Sequence, residues 1–176
     1  MTRGGAVPDE AGDFAEFVGA RGRALQRTAW LLTGDWGLAE DLVQTALART
    51  WPRWDRIRRR DSPDIYVRQV IVNTWLTWRR RKWRGEQAFA TVPDEPAPGD
   101  HAAEIVVRLA VRQALETLTE RQRAVVVMRV FDDMPEADVA RALNVSVGTV
   151  KSTAAQALAK LRQDSRLASL MDKESL

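Results

Sequence analysis

Apolar residues recur at steps of three and four along most of the chain, which is the spacing of amphipathic helices. The alternation of apolar and polar residues that is typical of strands is poor throughout. The clearest helical stripe lies after residue 62 and consists of Val67, Val70, Ile71, Thr74, Trp75 and Trp78. The pattern therefore predicts an all-α protein.

Capping signals divide the first half of the chain into helices. Asp13 and Glu16 have the spacing of a capping box, which predicts a helix from there to about Leu32. Asp35, directly after a glycine, can cap a second helix that ends near Pro52. A charged loop is expected over residues 53–61. A Ser-Pro pair at 62–63 then begins the long helix, with proline at its first position.

A proline-rich acidic segment separates the two halves. Residues 85–100 contain three closely spaced prolines, which remove backbone donors and disfavour helix before them. All seven tryptophans precede this segment, whereas the later half relies on Val, Leu, Ala and Met. We therefore expect two small helical domains with separate cores, over residues 13–84 and 105–166. An extended linker (85–104) joins them, with a flexible N-terminus (1–12) and a C-terminal tail (167–176).

The second half carries its own capping signals. A helix is predicted over residues 105–118, and Thr119 and Gln122 form a second capping-box pair before a helix to about residue 131. Pro135 lies in the first turn of a short helix over 136–143, which Asn144 can end in the left-handed conformation. Ser146 can cap a last helix that runs from 147 to about 166.

The short helix, the tight turn and the long helix make a helix-turn-helix. The opening turns of its second helix present free N–H groups and a positive dipole end to phosphates, and short side chains to base edges. The pattern also fits a helical hairpin inside a bundle, but its detail favours DNA binding. The residues expected on that exposed surface are Ser146, Val147, Gly148, Thr149, Lys151 and Ser152.

Charge and composition narrow the function further. The net charge of +3 divides into +6 over residues 1–84, −5 over 85–104 and +2 over 105–176, so the two basic blocks are suited to phosphates. There is no cysteine, the one histidine is His101 in the linker, and no Gly-rich phosphate loop is present. We expect no catalytic residues, no cofactor and no metal site. No apolar segment is long enough for a secretory signal or a membrane span, so we expect a soluble cytoplasmic protein without membrane insertion.

Short motifs occur in both halves of the chain. The C-terminal motifs are Leu118–Arg123, Ala137–Ala140, Val147–Ser152 and Ala159–Arg162; the N-terminal ones are Leu31–Asp35, Ala39–Gln44, Trp51, Tyr66–Arg68, Val72–Asn73 and Trp78–Arg81. Together they resemble the extracytoplasmic-function (ECF) sigma factors of bacterial RNA polymerase. Response regulators share a similar helix-turn-helix, so the N-terminal motifs distinguish the two classes. A looser similarity is to the SigE family.

The resemblance implies a sigma factor that binds core RNA polymerase and directs promoter-specific transcription initiation. Its N-terminal domain corresponds to sigma region 2, which binds polymerase and the minus-ten element, and its C-terminal domain to region 4, which binds the minus-thirty-five element. The implied partners are the beta-prime coiled coil and beta flap of polymerase, promoter DNA and, commonly in this family, an anti-sigma factor. The acidic linker would thread the polymerase cleft; a generic flexible spacer is the alternative.

The resemblance also implies which residues form each binding site, because each position in a matching motif corresponds to a position in the family. The polymerase-binding surface would hold an exposed leucine beside polar groups, although one of its two leucines could equally belong to the core. For the tryptophans of the minus-ten set, packing in the core is favoured over contact with DNA. The arginines of the preceding loop would border the base-capturing pocket; they are Arg56, Arg58, Arg59 and Arg60. The polymerase-binding set is Asp41, Leu42, Gln44 and Leu47; the minus-ten set is Asn73, Trp75, Trp78, Arg79, Arg80 and Arg81; the minus-thirty-five set is Ser146, Val147, Thr149, Lys151, Ser152, Ala155 and Gln156.

One departure from the family pattern concerns the second helix of the helix-turn-helix. The family commonly has basic side chains soon after the Val-Lys-Ser segment, whereas residues 153–157 here are all uncharged. We therefore predict modest affinity for isolated upstream DNA. Two other functions fit parts of the sequence: a stand-alone helix-turn-helix regulator with an N-terminal sensing or dimerisation domain, and a structural polymerase-binding protein that does not read DNA.

Overall fold

The computed structural model describes residues 10–59, 62–83 and 102–167. Most of the expected linker (85–104) and of the expected termini (1–12 and 167–176) lies outside the described residues. Residues 102–104 and 10–12 are described, and they belong to helices rather than to an extended linker or a flexible end. Every regular element within the described ranges is helical, and none of these residues lies in a strand. The all-α prediction is confirmed.

Within the described residues, the N-terminal half forms four α-helices: α1 (Glu10–Thr33), α2 (Trp36–Thr50), α3 (Trp54–Arg58) and α4 (Pro63–Trp83). Helices α1, α2 and α4 pack against one another. The turn between α1 and α2 forms as expected: Gly34 adopts a positive φ of 73°, and the Asp35 side chain accepts a 2.8 Å hydrogen bond from the Leu38 N–H. Asp13 is not a cap, because α1 already begins at Glu10.

The charged segment after α2 is not the loop that was expected. A short 3₁₀ turn (Trp51–Arg53) leads directly into α3. The side chains of Trp54 and Ile57 are buried, and they anchor α3 to the domain although arginines surround them in the sequence. The predicted start of α4 is correct, with Pro63 in its first turn.

The part of the C-terminal half that the structure describes forms the helices α5 (Ala102–Glu116), α6 (Glu120–Val126), α7 (Glu136–Leu143) and α8 (Val147–Arg162), with a π-helical segment (Val127–Phe131) after α6. The capping box of Thr119 and Gln122 forms in both directions. Asn144 ends α7 in the left-handed conformation with φ 52°, and Ser146 caps α8. Helix α8 ends at Arg162, four residues before the predicted position.

The expectation of two separate cores is wrong. Most of the buried apolar residues that the structure describes form one continuous cluster, which runs from Leu25 in α1 through Trp75 in α4 to Ala157 in α8. The π-helical segment contacts α1, and α7 packs against α4. Because apolar surface from both halves meets at this junction, the two domains are packed together rather than held apart.

Polar contacts cross the same junction. The Arg123 guanidinium donates to the carbonyl of Leu32 in α1 (2.9 Å) and to the carbonyl of Leu115 in its own domain (3.0 Å). The Thr28 hydroxyl donates to the Asp132 carboxylate at 2.7 Å. Further contacts join Arg68 Nε to Asp132 Oδ1 (3.2 Å), Arg79 Nε to Glu120 Oε1 (2.8 Å) and Gln69 Nε2 to the Asp138 carbonyl (3.4 Å).

Candidate polymerase and promoter surfaces

The helix α2 presents a mixed polar and apolar surface. Asp41 and Gln44 are exposed, and Gln44 Nε2 donates to Glu40 Oε1 at 3.3 Å. Leu42 is fully buried, so the expectation of an exposed leucine is wrong at this position. Adjacent residues of a helix point about 100° apart, which places Leu42 towards α1 and α4 while Asp41 faces outwards. Leu47 is half-buried.

A largely apolar groove lies beside this surface, between α1 and α2. It has a volume of about 600 Å³. Leu47 and Gln44 form part of its α2 wall, and Arg23 lies on its α1 side. The arrangement suits a partner helix that inserts an apolar side chain and keeps a polar rim. The full lining is Val18, Gly22, Arg23, Gln26, Trp36, Glu40, Val43, Gln44 and Leu47.

The candidate minus-ten residues of α4 divide by burial. Asn73 is exposed and Trp78 is half-buried. Trp75 is only 3% exposed and lies in the core, with the Arg123 guanidinium 5.9 Å from its ring centre, so it cannot stack on a base in this conformation. The expectation that Trp75 touches DNA is therefore wrong for the packed chain. Its indole faces the domain junction because α4 turns that face towards α6.

The basic end of α4 is partly engaged. Arg79 pairs with Glu120 of the C-terminal domain, whereas Arg80 and Arg81 are exposed. Arg80 makes one long contact, 3.4 Å to the Thr77 hydroxyl. Asn73, Arg80 and Arg81 thus form an accessible polar and basic surface on a single helix, which suits an unpaired strand and its phosphates.

The loop arginines before α4 are held by carboxylates. Arg58 bonds to Asp13 at 2.6 Å and to Asp55 at 2.9 Å, and Arg59 bonds to the same Asp55 at 2.8 Å. The hydrogen bond from Arg58 lowers the pKa of the Asp55 carboxyl below its ordinary value. Arg56 is exposed, and Arg60 lies outside the described residues. These pairs order the start of the loop.

The helix-turn-helix has the expected elbow. The backbone N–H of Val145 donates to the Ala140 carbonyl at 3.0 Å, so the turn closes directly on α7. Val139 and Val150 are at most 1% exposed and Ala140 and Leu143 at most 8%, which matches the predicted inward faces. Ala140 is small enough for α7 and α8 to pack closely at this point.

The predicted recognition surface lies on the outside of the domain. Ser146, Val147, Gly148, Lys151, Ser152, Ala155 and Gln156 are all exposed, and Thr149 is half-buried. The Ser146 hydroxyl accepts from the Thr149 N–H at 3.0 Å. The N–H groups of the first helical residues have no partner within the helix, so the start of α8 can receive a phosphate.

Cations on this surface are few, as the sequence indicated. Lys151 lies 3.6 Å from Glu136, an exposed pair that water screens strongly. Lys160 donates to Gln122 within the domain at 3.1 Å and points away from the opening turns of α8. Phosphate anchoring by α8 therefore depends mainly on Lys151 and on the helix N-terminus.

Sequence reasoning did not find the residues of the junction. Thr28 and Asp132 belong to no motif and lie 104 positions apart. Arg68 and Arg123 lie within family motifs, but nothing in those motifs indicated that they meet the other domain. Asp132 follows the π-helical segment, next to Asp133, which has a φ of 49°. Asp132 faces inwards, with a side chain 6% exposed.

Comparison with known proteins agrees with this arrangement of domains. Residues 17–85 match Sigma-70 region 2, and residues 108–161 match Sigma-70 region 4. The chain is 40% identical over 152 residues to the RNA polymerase sigma-E factor of Streptomyces coelicolor, covering 86% of this chain and 85% of that protein. It is 29% identical over 163 residues to the ECF RNA polymerase sigma factor SigL of Mycobacterium tuberculosis, covering 90% and 92%.

Two solved structures share the fold at 22% identity. The sigma factor RpoE of Bartonella quintana, in complex with the anti-sigma factor NepR, has a TM-score of 0.69 and covers 86% of this chain and 95% of that one. CnrH, in complex with the cytosolic domain of CnrY, has a TM-score of 0.58, with coverage of 91% and 88%. Both comparisons extend over the two helical domains.

A region 2 domain followed by a region 4 helix-turn-helix defines a promoter-recognition subunit of the sigma-70 type. The chain belongs to the extracytoplasmic-function sigma factors and is similar to their sigma-E members. It is a sigma factor that binds core RNA polymerase and promoter DNA and directs transcription initiation. Among the described residues, no helix is long and apolar enough to cross a membrane, and no group of side chains is arranged to hold a metal ion.

Proposed function

We propose that this sigma factor uses three separate surfaces. Asp41, Gln44 and Leu47, with the groove between α1 and α2, receive the beta-prime coiled coil of polymerase. Asn73, Arg80 and Arg81 contact the minus-ten element, joined by Trp78 and Arg79 once these are uncovered. The exposed side of α8 reads the minus-thirty-five element, and the C-terminal domain docks on the beta flap.

One observation supports the polymerase surface: the exposed Asp41 and Gln44 lie beside an apolar groove on a helix whose opposite face is buried. A coiled-coil partner matches this chemistry, because its apolar side chains fill the groove and its polar side chains meet the rim. Leu42 supports this surface from within by fixing α2 against α1 and α4. It does not itself contact polymerase.

The chain acts as a binding subunit without catalytic chemistry of its own, and it works in the cytoplasm, where its polymerase partner transcribes the chromosome. Membership of the family across both domains argues against a stand-alone regulator, because region 2 occupies the half that would sense a signal. The same match argues against a structural protein that does not read DNA. An anti-sigma factor is a further proposed partner, since two proteins of the same fold bind such factors or a cytosolic partner domain.

Reconstituted run-off transcription tests the proposal. Purified core polymerase with this chain should produce a promoter-dependent transcript. Asp41→Arg and Gln44→Ala should each weaken core binding by about tenfold or more, because a charged or cut-back side chain at the centre of a contact removes about 1.4 kcal/mol or more. Glu16→Arg is the matched control, since Glu16 is an exposed acid of α1. Equal binding by Asp41→Arg and the wild type would refute the assignment.

A further inference from the structure

The polar side chains at the start of α8 are largely engaged within the protein. The Ser146 and Thr149 hydroxyls bond to each other at 2.9 Å, and the Ser152 hydroxyl donates to the Thr149 carbonyl at 3.1 Å. Lys151 is drawn towards α7 by Glu136, 3.6 Å away. These groups can support phosphate contacts, but they offer little selectivity between bases.

Gln156, in the third turn of α8, differs from these groups. It is exposed, and its amide has no hydrogen-bond partner among the residues that the structure describes. Ser152 lies about one turn before it and Ala159 about one turn after it, and neither side chain is long enough to cover it. The donor and the acceptor of the amide are therefore both available to DNA.

The position of Gln156 along α8 suits a contact with base edges. It lies nine residues after Val147, the first residue of the helix, or about 14 Å at a rise of about 1.5 Å per residue. The major groove is about 12 Å wide, so the opening turns of a recognition helix can lie within it. Arg162 is about 22 Å from the same point, which places it beyond the groove and near the phosphates.

Small side chains allow the backbone of α8 to approach the groove closely. Gly148, Ser152, Ala155 and Ala159 are exposed and lie along the centre of the outer side of the helix. Glutamine is shorter than arginine or lysine, so it reaches a base edge only when the helix lies close to the DNA. The small neighbours of Gln156 permit that approach.

An amide side chain distinguishes adenine from guanine. In the major groove, adenine presents a donor at N6 and an acceptor at N7, which match the carbonyl and the NH₂ group of glutamine in a two-bond contact. Guanine presents two acceptors, O6 and N7, so one of them would face the amide carbonyl without a hydrogen between them. A basic side chain has the reverse preference, because arginine and lysine donate to both acceptors of guanine.

We propose that Gln156 is a specificity-determining residue: it selects adenine at one base pair of the minus-thirty-five element, where a basic side chain would select guanine. The proposal rests on the proposed function, because it requires α8 to read that element. The family commonly has basic side chains in this segment, so this factor is expected to differ from such relatives in the promoters that it recognises.

Selection from a promoter library tests the proposal with the full chain bound to core polymerase. The probes are copies of a promoter that the factor transcribes, with the minus-thirty-five element randomised. The wild type should enrich adenine over guanine by about tenfold at one base pair. Gln156→Arg should shift the preference to guanine at that base pair alone. Gln156→Ala should remove the preference there and leave the other positions unchanged.

Gln163→Arg is the matched control, because it adds the same charge just beyond the end of α8, and it should keep the adenine preference. Gln156 is exposed, and both alanine and arginine favour helix, so circular dichroism should show wild-type helix content in every variant. On a promoter that carries adenine at this base pair, the side chain introduced by Gln156→Arg has no two-bond partner on the base and bonds to phosphate instead.

Two results would overturn the proposal. One is a preference of the wild type for another base at the position that responds to Gln156. The other is a base profile of Gln156→Arg equal to that of the wild type. In both cases the wild type still enriches defined bases within the element, whereas failure of the proposed role of α8 would leave the randomised element without any enriched base. The two failures are therefore distinguishable.

Discussion

Burial decides what each residue of a family motif can do in this chain. Asp41 and Leu42 are neighbours in sequence, yet one is exposed and the other is 0% exposed. The same division separates Asn73 from Trp75 on α4. Motif position suggested all four as contact residues, but only Asp41 and Asn73 can meet a partner without rearrangement. Leu42 and Trp75 act through packing, so their replacement would report on folding as much as on binding.

Asn144 and Asp133 are the two non-glycine residues with a positive φ among the described residues. The φ of 52° and ψ of 53° of Asn144 lie in the left-handed region, and its N–H bonds to the carbonyls of Ala140 and Arg141. Asn144→Ala should lower the free energy of unfolding by about 1 kcal/mol, because alanine lacks the short polar side chain with which asparagine tolerates this conformation. Asn144→Gly should stay close to the wild type. Urea unfolding checks both; equal losses in Ala and Gly would show that backbone strain is not the cause.

At the scale of elements, local signals predicted the structure well where the stabilising contact is local. The cap of α2 at Asp35, the capping box of α6 and the end of α7 at Asn144 each involve residues within four positions of one another. The same reasoning missed α3, because its anchor is distant: Trp54 packs with its ring centre 5.0 Å from that of Phe14 and 5.0 Å from that of Phe17, both on α1. Nothing in the arginine-rich segment itself reveals those contacts.

The recognition helix α8 permits a test of its weak phosphate anchoring. Gln156 is exposed on the predicted DNA-facing side, nearly three turns after Ser146 caps the helix. Gln156→Arg should raise the affinity of the factor for duplex minus-thirty-five DNA and steepen the dependence of log affinity on log salt by about 0.9, the value for one added phosphate contact.

Gln163→Arg is the control for this change, since it adds the same charge at an exposed position beyond the end of α8. Fluorescence anisotropy at several salt concentrations measures both variants. If the two arginines steepened the salt dependence equally, the gain would reflect net charge, and the orientation of α8 towards DNA would be contradicted.

At the scale of the whole molecule, the sequence predicted two domains but not their contact. Composition separated a tryptophan-rich half from an aliphatic half, and the family matches follow that division. The polar contacts across the junction join residues up to 104 positions apart, such as Thr28 and Asp132, and such pairing leaves no local pattern. Since one apolar cluster crosses the junction, we expect the chain to unfold as a single cooperative unit.

The buried Asp132 makes the free energy of unfolding of the packed chain depend on pH. Burial raises the pKa of its carboxyl above the ordinary 3.8, and the hydrogen bond from Thr28 and the positive charges of Arg68 and Arg27 only partly oppose that effect. Thr28 and Arg27 face it from α1, and Arg68 faces it from α4, where Arg68 also pairs with Asp64. A raised pKa means that the folded chain holds this proton more tightly than the unfolded chain does.

The contribution of Asp132 to the free energy of unfolding should therefore be fully present below the ordinary pKa of 3.8, and should be lost as pH rises through the higher folded-state pKa. The slope is at most about 1.4 kcal/mol per pH unit for one proton. The pKa of Asp164 is lowered to about 2, so its effect on stability has the opposite sign and is confined to pH values below the ordinary 3.8. The pH ranges of the two groups are therefore separate.

Urea unfolding of the wild type and of Asp132→Asn from pH 4 to 7 isolates the contribution of Asp132, because the contributions of all other groups cancel in the difference. Asp133→Asn, at the exposed neighbour, is the control and should keep the pH dependence of the wild type. A difference in unfolding free energy between the wild type and Asp132→Asn that stays constant with pH would contradict the assignment of this proton to Asp132.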